Sequence, residues 1–166
     1  MRIRVLTFLA AAALGACQQQ PAAELTDSQR SAIVSEVNET VDQVFAAMNG
    51  HDAAALMSYY LQSDNFSYAG VTDVKLGYEI FSRIVSPWYT SNTDVTFEHE
   101  IVQTEALSPT SAVALVRGSS TVSKSLLWTQ VYVKRDGKWL IAHEHESWPM
   151  CVDAPQPHPL TDLPPQ

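Results

Sequence analysis

A chain of 166 residues with 18 acidic against 10 basic side chains carries a formal charge of −8. Arg2 and Arg4 fall in a segment expected to be removed, and without them 8 basic residues remain and the charge is −10. Such a surface repels nucleic-acid phosphates and so argues against nucleic acid as a partner, while 46% hydrophobic and 17% charged residues suit one globular domain.

The N-terminus reads as a targeting segment. Met1-Arg2-Ile3-Arg4 supplies positive charge, and Val5 to Ala13 is an apolar run too short to span a bilayer as a mature helix. Leu14-Gly15-Ala16-Cys17 follows and resembles the lipobox of bacterial lipoproteins. The resemblance implies a signal peptide over 1–16, cleavage before Cys17 and lipidation of Cys17. Gln18 in place of Asp implies the outer membrane, facing the periplasm. Several acyl chains supply the affinity that one cannot. Residues 17–25 are then a lipidated polar tether. With Cys17 lipidated, Cys151 has no intrachain partner, and no disulfide framework is expected.

The domain is expected over 26–148. Thr26 or Asp27 offers an N-cap. Ile33, Val37, Val41, Val44-Phe45 and Met48 then recur at helical spacing up to Asn49-Gly50. Asp52 caps a short second helix through Tyr60. Phe66 to Ala69 alternates as a strand, with Val74-Lys75-Leu76 as its hairpin mate. Gly77 opens a third helix, and Pro87 predicts a kink or an early stop near Ser86. Strands follow over Val95–Val102, Ala112–Val122, Ser125–Lys134 and Trp139–Ser147, joined by connections short enough for antiparallel pairing. The order implies an α+β fold with three N-terminal helices packed on a curved, mostly antiparallel sheet. Six prolines make 149–166 an extended tail.

The last strand draws attention. Strict alternation places Trp139, Ile141, His143, His145 and Ser147 on one face and Leu140, Ala142, Glu144 and Glu146 on the other. The two imidazoles admit three roles: hydrogen bonding at the sheet edge, orienting a ligand, or, together with His99, holding a metal. No tight metal motif exists, so no metal and no cofactor are expected.

Asn49-Gly50-His51-Asp52, Asp64-Asn65-Phe66, Gly77-Tyr78-Glu79 and Gly137-Lys138-Trp139 running into His143-Glu144-His145-Glu146-Ser147 resemble, in order and spacing, the NTF2-like superfamily in its SnoaL-like branch. The resemblance covers roughly Ser28 to Trp148. It implies a cone in which a bent sheet wraps the first helix around an apolar cavity, and it spans isomerases, cyclases, dehydratases and non-catalytic association domains. The Asp and Tyr pair of the isomerase does not carry over. The strands from Ala112 to Trp148 hold Asp only at Asp136, and the first helix holds no Tyr.

The preferred expectation is binding of a small, largely apolar ligand without catalysis. Its walls would come from Tyr59, Tyr68, Trp88, Arg117, Trp128, Tyr132, His143 and His145. The alternatives are a cofactor-free lyase or isomerase with His145 as base and Tyr68 or Tyr132 as donor, and a homodimerisation domain pairing through the outer sheet face.

Overall fold

The structure, a computed structural model, describes residues 24–70 and 74–148. The signal segment, Cys17, most of the tether, Cys151 and the tail lie outside the described residues.

Thr26 sets the first helix. Its hydroxyl accepts from the Gln29 backbone at 3.2 Å and the Gln29 side chain accepts from the Thr26 N–H at 2.9 Å, a reciprocal cap that satisfies two otherwise orphaned donors. Helix α1 then runs Asp27–Asn49 and buries Ile33, Val37, Val41, Val44, Phe45 and Met48. At its end the Asn49 side chain accepts from Phe97 N–H at 2.7 Å and donates to Phe97 C=O at 2.9 Å, which ties the helix to the sheet.

Helix α2, Ala53–Met57, is capped by Asp52 and stops short of the expected Tyr60. The reason is a competing partner: Ile141 N–H donates to Tyr59 C=O and Leu61 N–H to Ile141 C=O, both at 2.8 Å. Strands β1 (Ser67–Ala69) and β2 (Val74–Leu76) form the expected antiparallel hairpin. Helix α3, Tyr78–Ser91, does not stop at Ser86 but passes Pro87. Proline removes one backbone donor at a cost of ~3 kcal/mol. Here the Thr90 hydroxyl donates to the Ser86 and Pro87 carbonyls, and the ring of Tyr89 beyond the proline packs against the core.

Strands β3 (Phe97–Ser108), β4 (Ser111–Ser120), β5 (Ser123–Arg135) and β6 (Lys138–Ser147) complete a six-stranded sheet in the order β2-β1-β6-β5-β4-β3. Only β1 and β6 run parallel, so the sheet is mixed and mostly antiparallel, and the fold is the expected α+β cone. Helix α1 lies across β3 and β4. Fully buried Ala112, Ala114 and Val116 on β4 are small enough to let it approach.

One glycine is sterically required. A Cβ at Gly118 would stand 2.2 Å from the Glu98 carbonyl oxygen and 2.9 Å from the Trp128 ring. Gly118→Ala is therefore expected to destabilise the domain by about 1–3 kcal/mol, as overpacking does. Thermal unfolding checks it, and an unchanged melting temperature would contradict the packing.

Strict alternation fails on β6. Tyr132 pairs with Ile141, but Val131 pairs with His143, so Ala142 is one extra residue in a bulge. A one-residue slip reverses every side chain beyond it. Trp139 and Ile141 face the core as expected, but after Ala142 it is Glu144 and Glu146 that face inward. The bulge sits where β6 changes partner, from the Tyr59–Leu61 segment to β1.

Candidate functional site

Among the described residues the buried polar or charged side chains are Gln130 and Glu144. They face each other across the β5–β6 ladder. Both reach a cavity of about 260 Å³ between α1, α3 and the inner sheet face. Phe45 and Met48 of α1 line it, with Phe81, Val85, Trp88 and Tyr89 of α3 and Phe97, Leu126 and Trp128 of the sheet. Edge-to-face packing of Phe45 on Trp128, centroids 5.2 Å apart, fixes the back wall.

Polar contacts converge on the two carboxyls. Gln130 Nε2 donates to Glu144 Oε2 at 2.7 Å, and the Tyr60 hydroxyl donates to the same carboxyl at 3.2 and 3.3 Å. Behind Gln130, the buried Tyr132 hydroxyl donates to Gln130 Oε1 at 2.7 Å, which fixes the amide with its NH₂ toward Glu144. Glu146 accepts from the Tyr68 hydroxyl at 2.7 Å and from Trp148 Nε1 at 2.6 Å. Burial, seconded by the charge of Glu146, pushes Glu144 up to about 7, against the pull of the Gln130 and Tyr60 hydrogen bonds. Burial also raises Tyr60, Tyr68, Tyr89 and Tyr132, so all four remain protonated donors at neutral pH. Tyr89 lines the cavity with no side-chain hydrogen bond to another described residue. The arrangement is a carboxyl poised for proton exchange at neutral pH inside an aromatic chamber.

Of the residues expected at the site, Tyr68, Trp88 and Trp128 line the cavity. Tyr132 stands behind Gln130 as its support. The others lie elsewhere. His143 and His145 occupy the outer face, where His143 Nδ1 lies 2.7 Å from the Ser67 hydroxyl and His145 is exposed. The cause is the bulge at Ala142, which turns the row expected to face inward toward the outside. Arg117 is exposed and paired with Glu100 at 2.6 Å. Tyr59 borders a separate polar groove, where Glu36 accepts from Lys134 at 2.6 Å and from Trp139 at 2.7 Å. Those two donors hold Glu36 below the usual carboxylate range. His99 does not join the β6 histidines: it stacks on Phe45 at 4.1 Å and meets Asp42 at 2.8 Å. Among the described residues no group of three His, Cys, Asp or Glu is placed to hold a metal.

Glu144, Glu146, Gln130, Tyr60 and Tyr89 are not among the residues that the sequence places at the site. One signal pointed to them. Leu126, Trp128, Gln130 and Tyr132 alternate on the inner face of β5, and an amide in that row asks for a buried polar partner.

The family model described as a SnoaL-like domain matches residues 37–151. The chain belongs to the SnoaL-like domain family. Solved structures repeat the fold. An NTF2-like protein of unknown function from Shewanella oneidensis aligns with a TM-score of 0.61 at 18% identity, over 68% of this chain and 97% of that one. A dehydratase candidate of the NTF2-like family from Streptomyces avermitilis aligns at 0.61 and 15% identity, over 73% and 99%. A ketosteroid isomerase-like protein from Erwinia carotovora aligns at 0.54 and 16% identity, over 69% and 95%. At these identities the likeness is one of fold. No curated protein matches the sequence.

Proposed function

We propose that the SnoaL-like cavity binds a small, largely apolar molecule and that Glu144 moves a proton on it without a cofactor, as in a lyase or isomerase. The observation that carries this reading is the Glu144 carboxyl, buried at the cavity wall and poised at about 7. A base works best when its pKa lies near the working pH. The ionised carboxylate takes a proton from carbon beside a carbonyl, and the electron pair moves onto the carbonyl oxygen. Tyr89 donates a hydrogen bond to that oxygen. Glu144, now the acid, returns the proton to another carbon or to a departing hydroxyl, which leaves as water. The base is thus Glu144 and not His145, which stands outside the cavity.

The test is exchange of α-protons for deuterium, followed by NMR across a panel of small ketones and β-hydroxy carbonyl compounds. Glu144→Gln is expected to slow exchange by about 10²- to 10⁴-fold. Equal exchange in wild type and variant removes Glu144 as the base. Binding without turnover is the second reading, favoured by one observation: Tyr60 and Tyr68 already donate to the site's own carboxylates. A panel compound that binds and raises the melting temperature but never exchanges would favour it.

Delivery to the membrane is a further part of the proposal. The lipobox-like Leu14-Gly15-Ala16-Cys17 supports a lipid anchor at Cys17, and among the described residues no helix is long and apolar enough to cross a membrane. Cys17→Ser is expected to move the protein from the membrane to the soluble fraction on cell fractionation. Persistent sedimentation with membranes would refute it.

A further inference from the structure

We infer that the ligand of this cavity carries a positive charge: an organic ammonium whose alkyl or aryl part fills the aromatic chamber. This names the substrate class of the site just described and rests on that reading for the site itself.

Three features converge. Glu144 and Glu146 sit two residues apart on the same face of β6, and both line the cavity. Among the described residues lining it, Lys75 is the one basic residue, so an anionic guest meets two carboxyls against one ammonium. The charge of Glu146 already raises Glu144, and a cation placed between them would remove that repulsion. A neutral guest would leave it in place.

The second feature is the wall. Trp88, Trp128, Trp148, Tyr89 and Phe97 line the same space. Aromatic faces attract a desolvated cation through their quadrupole, with Trp the strongest, and quaternary or alkylated ammonium groups suit such a cage. Many rings beside two carboxyls fit an amphipathic cation better than a hydrocarbon with a hydroxyl.

The third is the position of Glu146. Its oxygens accept from Tyr68 and Trp148, so the carboxylate is oriented by two donors rather than swinging into solvent. Each oxygen retains a lone pair for a ligand N–H. The acidic surface, at a net −8, draws cations toward the mouth and repels anions.

The experiment uses the folded protein and four benzyl probes: benzyltrimethylammonium and benzylamine as cations, benzyl alcohol as the neutral, and phenylacetate as the anion. Calorimetry is expected to show the cations at least about tenfold tighter than the alcohol, a difference of about 1.4 kcal/mol, and phenylacetate weakest. Glu146→Gln is expected to abolish the preference for cations, read as the ratio of cation to alcohol affinity within the same variant. Equal binding of alcohol and cation, tighter binding of phenylacetate, a cation preference that survives Glu146→Gln, or no binding by any probe overturns the inference. The proton-transfer reading fails separately. It falls if α-proton exchange is indifferent to Glu144→Gln, whatever charge the cavity prefers.

Discussion

Relative to the Glu144→Gln variant, the wild-type domain is expected to lose about 3 kcal/mol of stability between about pH 4 and about pH 8. The sign follows from the direction of the shift. Glu144 titrates near 4.5 in the unfolded chain and at about 7 in the fold. Between those values the folded protein holds a proton that the unfolded chain has released. Stability therefore falls as pH rises through that window and levels off above it, where both states are ionised. Gln keeps the shape and most hydrogen bonds but does not titrate, so the difference between the two urea-denaturation series isolates this one group. Parallel series would mean that the carboxyl is not desolvated, and the case for a poised base would go with it. The same energetics explain why the side chain is suited to its proposed work. The fold tolerates the charge poorly, yet Gln130 and Tyr60 hold it close enough to balance for either protonation state to be reached near neutrality.

Most of the frame was legible in the sequence because periodicity reports burial. Ile33, Val37, Val41 and Val44 at helical spacing are fully or nearly fully buried, as expected. The alternation of Ala112, Ala114 and Val116 likewise marks the inner face of β4. The site was harder for a physical reason. From His143 to Glu146 every side chain is polar, so alternation constrains their relative sides but cannot say which pair faces in. The phase had to be carried across from Trp139 and Ile141, and the bulge at Ala142 breaks that continuity. Nothing in Ile-Ala-His announces a bulge, which sits where β6 exchanges one partner segment, far away in sequence, for another. Pro87 is a milder case. Local chemistry argues for a kink or an end at Pro87, and the helix runs on past it to Ser91, with Tyr89 packed against the core. Tyr89, which the helix would not have placed had it stopped at Ser86, is the proposed donor to the substrate oxygen.

Gln130→Leu tests whether the second layer of the site tunes the first. The amide does two things: its Nε2 donates to Glu144 at 2.7 Å and its Oε1 accepts from Tyr132 at 2.7 Å. Leucine removes both while roughly filling the space. Loss of a hydrogen bond to a charged group is worth about 1.5–3 kcal/mol, so the titration of Glu144 is expected about one to two pH units higher. The pH midpoint of α-proton exchange should move with it, in the alkaline direction. Separately, the buried Tyr132 hydroxyl loses its acceptor at a cost of about 1–3 kcal/mol, which is present even at low pH where Glu144 is neutral. The two effects can be told apart with a second change. Adding Tyr132→Phe removes the orphaned hydroxyl and should restore most of the low-pH stability, but it should leave the alkaline shift of Glu144 in place. If the double variant restored both, Tyr132 would act on Glu144 directly and Gln130 would be mere packing. If it restored neither, the loss would lie in the fit of leucine between Trp128 and Tyr132 rather than in the hydrogen-bonded relay. Only the split outcome supports a relay in which Tyr132 orients the amide and the amide sets the proton affinity of the carboxyl.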